Sequence, residues 1–271
     1  MATSARIGRN SYIPFSQSQM RRSNVGMPNS DLAQLLQWNA KDFALSYFED
    51  FALPASATLP TYWTSAVTAG GAPTAFAVPA TALLGGAISG LTGTTDNGVA
   101  AIAGPLIYRG DNNPLFVCRF KINTVSGYSF EIGWSDALTD EALPAVTDID
   151  TPAIGNGSAD TAVVHLDTHQ TLTTMGFITG STTSTYAATK TDLGTRAPTA
   201  ATYMTVMVGI ETNSAFCKVF DANYALLEQA SHGGNYIEGG TLIRPHILNR
   251  TRNTSSKTMD IDYVAVLMDR R

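Results

Sequence analysis

From about Lys41 onward the apolar residues recur at every second position, the period of half-buried strands. "PLFVCRFKI" (114–122) sets Phe116, Cys118, Phe120 and Ile122 on one side and Val117, Arg119 and Lys121 on the other. "YSFEIGW" (128–134) repeats the pattern with Tyr128, Phe130, Ile132 and Trp134 against Ser129, Glu131 and Gly133. The link "NTVSG" predicts a short hairpin loop between these two strands. Further alternating runs are "TAVVHLDT" (161–168), "TYMTVMVGI" (202–210), "SAFCKVF" (214–220), "TLIRPHIL" (241–248) and "TMDIDYVAVL" (258–267). Pro245 predicts an edge or bulged strand, because proline has no N–H to give to a ladder. Upstream, "FALSYFEDFAL" (43–53) runs into Pro54, and "TYWTSAVTAGGAPTAFAV" (61–78) is punctuated by Gly70, Gly71 and Pro73. The Gly/Ala/Thr-rich stretch 79–104 predicts one strand near 85–92 between loops. Many strands separated by turn residues, without the Cys…Trp…Cys spacing of immunoglobulin domains, predict an all-β fold: a two-sheet antiparallel jelly-roll sandwich.

Residues 1–40 break with this pattern and predict an extended N-terminal arm with one short helix near 30–37. In "NSDLAQLLQW" Asn29 or Ser30 can cap, Asp31 favours the helix start, and Leu32, Leu35 and Leu36 share a face. Residues 41–271 form the sandwich domain. Charge sharpens the division. The chain carries −5 overall, yet residues 1–40 hold four arginines against Asp31 alone, +3 on a remainder at −8. A basic, core-poor leader on an acidic body reads as an arm that contacts a partner. Its candidate anchors are Arg6, Arg9, Tyr12, Ile13, Phe15, Arg21 and Arg22.

Charged residues make up only 14% of the chain, against about 25% in ordinary soluble domains. Such a surface suits a β-rich protein partly covered by partners better than a free cytosolic enzyme. The mild net charge gives no case for nucleic acid. Without an apolar leader or a run approaching ~18 apolar residues, neither a secretory signal nor a membrane partner is expected. Cys118 and Cys217 fall within alternating runs and read as small buried hydrophobes.

Chemistry is sparse. In the closing run Met259, Ile261, Tyr263, Ala265 and Leu267 share one predicted face, and Asp260, Asp262, Val264 and Val266 the other. Some jelly-roll glycosidases carry acids at alternate strand positions. The separation of residues i and i+2, roughly 6.6 Å, is compatible with glycoside hydrolysis. The valines that follow instead favour a plain sheet face. Glu131 with Asp136 is the other acid pair. His165, Asp167 and His169 are the best histidine cluster for a metal, but His165 and His169 lie about 13 Å apart on a strand. The loop runs "GDNN" (110–113) and "TDID" (147–150) offer oxygens for calcium without matching an EF-hand. No nucleotide-binding motif occurs. The expectation is therefore no cofactor, no metal site, and no enzyme. Trp63, Trp134, Tyr128, Phe116 and Phe120 fall on apolar faces, whereas a lectin would need some aromatics exposed.

The runs "DFALSYFEDFALP", "NPLFVCRFKINTVSGYSFEIGWSDA", "YMTVMVGIETNSAFCKVFD", "IRPHILNRT" and "KTMDIDYVAVLMDR" together resemble tailed-bacteriophage virion proteins with a concanavalin A-like (laminin-G-like) jelly roll, over roughly 41–268. That resemblance implies a structural virion protein, most simply a capsid decoration or cement protein. Its arm would bind the major capsid protein or another virion protein, and the body would form a homo-oligomer such as a trimer. The alternative it leaves open is a glycan-binding, receptor-recognising module of a head fibre or tail. The family has no catalytic motif to carry over, and its closing strand is structural.

Overall fold

In a computed structural model of the chain, the described residues are 5–7, 11–13, 43–51, 53, 57–68, 70–80, 86–137, 144–148, 153–154, 159–168, 174–181, 188–194, 198–234, 237 and 240–269. They form the expected jelly-roll sandwich: two antiparallel sheets of eight strands each. The first sheet runs, edge to edge, Thr189–Asp192, Gly176–Ser181, Asp160–Asp167, Tyr128–Ser135, Leu242–Thr251, Val99–Ala103 and Thr64–Val67, with Tyr108–Arg109 also paired to Leu242–Thr251. The second runs Leu226–Gly233, Ser214–Phe220, Met204–Glu211, Leu115–Ile122, Thr258–Asp269, Ile88–Leu91 and Thr74–Ala77, with Phe43–Glu49 also on Thr258–Asp269. Between them lies one large core in which the alternation of the two central runs holds as read. Phe116 meets Trp134 at 5.9 Å and Phe120 meets Phe130 at 5.1 Å, both edge to face. Such aromatic pairs are worth about 0.5–1.5 kcal/mol beyond their buried area. Cys118 and Cys217 are free thiols inside this core.

Three local expectations are corrected. The link 123–127 is not a hairpin loop. It carries the chain from the second sheet to the first, so the two strands it joins face each other across the core instead of pairing. Both strands bury the same set of alternate residues in either arrangement, which is why the pattern could not separate them. Gly127 makes the crossing at φ +57, where a Cβ would meet Asn253 Nδ2 at 2.1 Å. Next, Leu242–Thr251 is an interior strand despite Pro245. Gly104 N–H donates to Pro245 O at 2.9 Å, so the missing proline N–H also faces Gly104–Ile107, where the adjacent strand is interrupted. Finally, the closing strand does not alternate strictly. Its register on Leu115–Ile122 shifts between Ile261 and Tyr263, making Asp262 the extra residue of a bulge. Met259 and Ile261 face the core, and beyond the bulge Val264 and Val266 do so, while Tyr263, Ala265 and Leu267 join an apolar cluster on the outer face.

The stretch 61–78 likewise splits. Thr64–Val67 pairs with Val99–Ala103 in one sheet and Thr74–Ala77 with Ile88–Leu91 in the other. Side chains close both seams of the sandwich. Ser65 Oγ donates to Ala101 O at 3.1 Å and accepts Phe76 N–H at 2.8 Å. At the opposite seam His232 bridges from the second sheet to Thr179 (2.6 Å) and Thr191 (2.9 Å) of the first, over the Phe177 ring.

Candidate functional site

Among residues 1–40, Ala5–Ile7 and Ser11–Ile13 form a two-stranded antiparallel pair in which Arg6 sits opposite Tyr12 and Ala5 opposite Ile13. Arg9, Phe15, Arg21, Arg22 and the expected helix near 30–37 lie outside the described residues. Further along the chain, Asp260 and Asp262 of the closing strand are each matched by a cation on the neighbouring strand. Asp262 meets Arg119 at 2.5 Å and Asp260 meets Lys121 at 3.3 Å. Tyr203 lies under both cations, at 4.6 and 4.9 Å. Burial raises the pKa of Asp262, and Arg119 works against that rise. Asp136 accepts the backbone N–H groups of Ala159 (2.8 Å) and Asp160 (2.9 Å).

Glu131 anchors the densest polar cluster. Alternation places Ser129 and Glu131 on the outer face of the first sheet, and pairing brings His165 and Asp167 beside them from one neighbouring strand and His246 and Arg250 from the other. Glu131 is only 1% exposed. Its oxygens accept Ala145 N–H at 2.7 Å and Val146 N–H at 3.1 Å, so the segment 144–148 lies over it. His246 Nε2 is 3.4 Å from Glu131 Oε2. Burial alone would raise the pKa of Glu131, but His246, His165 and Arg250 together outweigh it and hold the group below the usual carboxylate value. His165 is pushed down to about 4, chiefly by burial. Arg250 and Arg252 both reach Asp167, at 3.2 and 3.1 Å. Among the described residues no group of three or more His, Cys, Asp or Glu is placed to hold a metal ion. None of the described helices is long and apolar enough to cross a membrane.

An open site occurs elsewhere. At one end of the sandwich a cavity of about 180 Å³ lies between the sheets, lined by Tyr47, Tyr62, Trp63, Tyr108, Ile107, Pro105, Pro245 and Val266. Phe43–Glu49 turns Tyr47 inward beside Val266, and Tyr62–Trp63 follow the turn at Pro60, whose carbonyl accepts Trp63 N–H. Tyr47 and Tyr62 meet edge to face at 4.9 Å, and Trp63 stands 6.3 Å from each. Glu49 ties the phenols together, accepting from Tyr47 at 2.9 Å and Tyr62 at 2.8 Å. Tyr62 is 38% and Ile107 53% exposed, so the rim is open to solvent. Burial, above all, pushes the Tyr62 and Tyr108 phenols up to about 12.

Sequence reasoning counted Trp63 with the core and left Tyr47, Tyr62 and Glu49 unremarked. The available signal was "YFE" (47–49), which puts a phenol and a carboxylate on one strand face, together with adjacent Tyr62 and Trp63 after a proline.

No family model matches the chain, and no curated protein matches it by sequence. Solved structures do match its fold. A Shewanella oneidensis MR-1 protein of unknown function superposes with a TM-score of 0.55 at 10% identity, over 89% of this chain and 95% of that one. Peanut lectin gives 0.54 at 13% identity, over 82% and 96%. A β-1,3-glucanase from Mycobacterium marinum gives 0.52 at 11% identity, over 83% and 98%. These values place the chain in the concanavalin A-like jelly-roll fold that lectins and glucanases share. They correct the expectation that the protein is not an enzyme: the same sandwich serves a glucanase, so catalysis is open. The named neighbours give the virion assignment no counterpart.

Proposed function

We propose that the protein is a carbohydrate-binding jelly-roll module whose docking site is the Tyr47–Tyr62–Trp63–Tyr108 cavity. The observation that carries this reading is a solvent-open cavity walled by four aromatic rings, two of whose hydroxyls are held by Glu49 behind the wall. A sugar ring offers an apolar C–H face to stack and a hydroxyl edge to hydrogen-bond, and binding pockets combine those two kinds of surface. The cavity is smaller than the roughly 300–1,000 Å³ of drug-sized sites, which suits one sugar residue at a chain end or branch. Lectins and a glucanase among the fold neighbours support the same class of ligand.

Affinity electrophoresis through gels containing soluble glucans, mannans or chitosan tests it. The wild-type chain is retarded by at least one polysaccharide and Tyr62→Ala is not. Unretarded migration in all of them contradicts the reading. Reducing-end release in the same mixtures separates binding from cleavage.

The basic composition of residues 1–40 favours a second reading, attachment of the module to a virion through its arm. A chain lacking residues 1–40 should then fold and bind sugar but fail to join particles. Normal incorporation of that truncation counts against attachment.

A further inference from the structure

The cavity is rich in rings and short of unspent polar groups. Tyr47 and Tyr62 donate their phenol protons to Glu49, at 2.9 and 2.8 Å, and Trp63 Nε1–H donates to Tyr47 Oη at 3.2 Å. The carbonyls of the two lining prolines are also engaged. Pro105 O accepts Ile107 N–H at 3.1 Å, and Pro245 O accepts Gly104 N–H at 2.9 Å. No charged side chain lines the cavity, and the side chains of Pro105, Ile107, Pro245 and Val266 offer only carbon. Tyr108 is the exception. It is only 3% exposed, and its ring stands edge to face on Trp134 at 5.4 Å. Among the described residues its hydroxyl has no hydrogen-bond partner. A buried tyrosine hydroxyl ordinarily finds one, so this proton is left for whatever enters the cavity. Burial alone pushes the phenol up to about 12, which keeps it neutral and able to donate. Tyr108 in turn raises the pKa of Tyr62, so the two hydroxyls share the cavity.

We infer that the sugar recognised carries an acetamido group, which enters the cavity with its carbonyl oxygen accepting from Tyr108 and its methyl packed among the rings, Pro245 and Val266. The inference rests on the carbohydrate reading of the same cavity. An amide carbonyl is a strong neutral acceptor and matches the one unspent donor. A methyl group needs no partner from a wall of carbon and gains by leaving water. The sugar ring then lies at the rim against Tyr62 and Ile107, the two exposed members of the lining. A hydroxyl in place of the acetamido group leaves the carbon-lined part of the cavity unfilled. An ammonium or carboxylate group there would lose its water with no opposite charge on the lining to offset the cost.

NMR titration of the full chain, read at the Trp63 indole, tests this with N-acetylglucosamine, N-formylglucosamine, glucose and glucosamine at about pH 6, below the ordinary pKa of an amine. N-acetylglucosamine should bind roughly tenfold more tightly than glucose, and glucosamine most weakly. N-formylglucosamine keeps the carbonyl but lacks the methyl, and should bind roughly fourfold more weakly than the acetyl sugar. Tyr108→Phe removes one oxygen and keeps the ring on Trp134; it should weaken N-acetylglucosamine binding roughly fivefold, toward that of glucose. The acetyl and formyl comparison uses the wild-type chain alone, so it decides the matter even if the variant fails to fold. Equal affinity for glucose and N-acetylglucosamine, equal affinity for the acetyl and formyl sugars, or an undiminished preference in Tyr108→Phe overturns the inference and leaves the carbohydrate reading standing. Silence of the Trp63 indole with all four sugars removes both.

Discussion

Glu131 and Glu49 are both strand carboxylates at the margin of a sandwich core, and they differ in how close solvent comes to them. Glu131 has two backbone N–H donors, His246 and Arg250 close by, and almost no contact with water. Glu49 shares its oxygens with two phenols and one backbone N–H, beside a cavity open to solvent. An acid whose neighbours complete it inside the protein fixes a loop onto a sheet. Glu49 instead ties two phenols together beside an aromatic cavity that opens to solvent. Burial and charge alone would have ranked Glu131 as the more suggestive site; the open aromatic cavity beside Glu49 reverses that order.

The comparison breaks most visibly in stability. Glu131→Ala leaves the buried N–H groups of Ala145 and Val146 without an acceptor, at a cost of about 1–3 kcal/mol each. Urea unfolding should record that loss, with any folded fraction binding sugar as the wild type does. A loss below about 1 kcal/mol would mean that Glu131 is not the structural acid described here.

The next effect follows pH. His165 stays neutral in the fold down to about pH 4, whereas the unfolded ring takes up its proton near 6.5, so the unfolded state binds more protons between those values. Stability therefore falls as pH falls through that window, by ~3 kcal/mol in total. The depressed pKa of Glu131 works in the same direction at still lower pH, since its contribution is lost as pH drops through the folded value. Urea midpoints at several pH values should slope accordingly, and His165→Gln should flatten the slope between 6.5 and 4.

At the open acid the effect should appear in binding. Tyr62→Ala should weaken sugar binding by roughly tenfold, about 1.4 kcal/mol, while changing unfolding stability by less than about 1 kcal/mol. Smallest is the exposed control: Asp111→Asn removes the surface pair with Arg109 and should alter stability by under about 0.5 kcal/mol.

Much of the fold was legible because period-two patterning is a direct consequence of strand geometry. The runs around Phe116–Ile122 and Tyr128–Trp134 bury the residues their alternation selects. What the pattern could not carry was partnership. A five-residue link reads the same whether it returns within a sheet or crosses to the other, and Pro245 is harmful only if its missing N–H faces a continuous neighbour. The bulge at Asp262 cost one residue and inverted every face beyond it, which no strict alternation anticipates. The candidate site was hidden for the same reason. Tyr47, Glu49, Tyr62, Tyr108 and Pro245 are brought together by pairing between strands far apart in sequence. Taken singly, each reads as an ordinary strand residue.

The most direct measurement compares two indoles by NMR. Trp63 Nε1–H donates to Tyr47 Oη at the cavity, and Trp134 Nε1–H donates to Val208 O at 3.0 Å inside the core. On titration with a retained sugar, the Trp63 indole resonance should move saturably while that of Trp134 stays fixed. A stationary Trp63 resonance under conditions where the sugar is bound would place the ligand elsewhere and contradict the account.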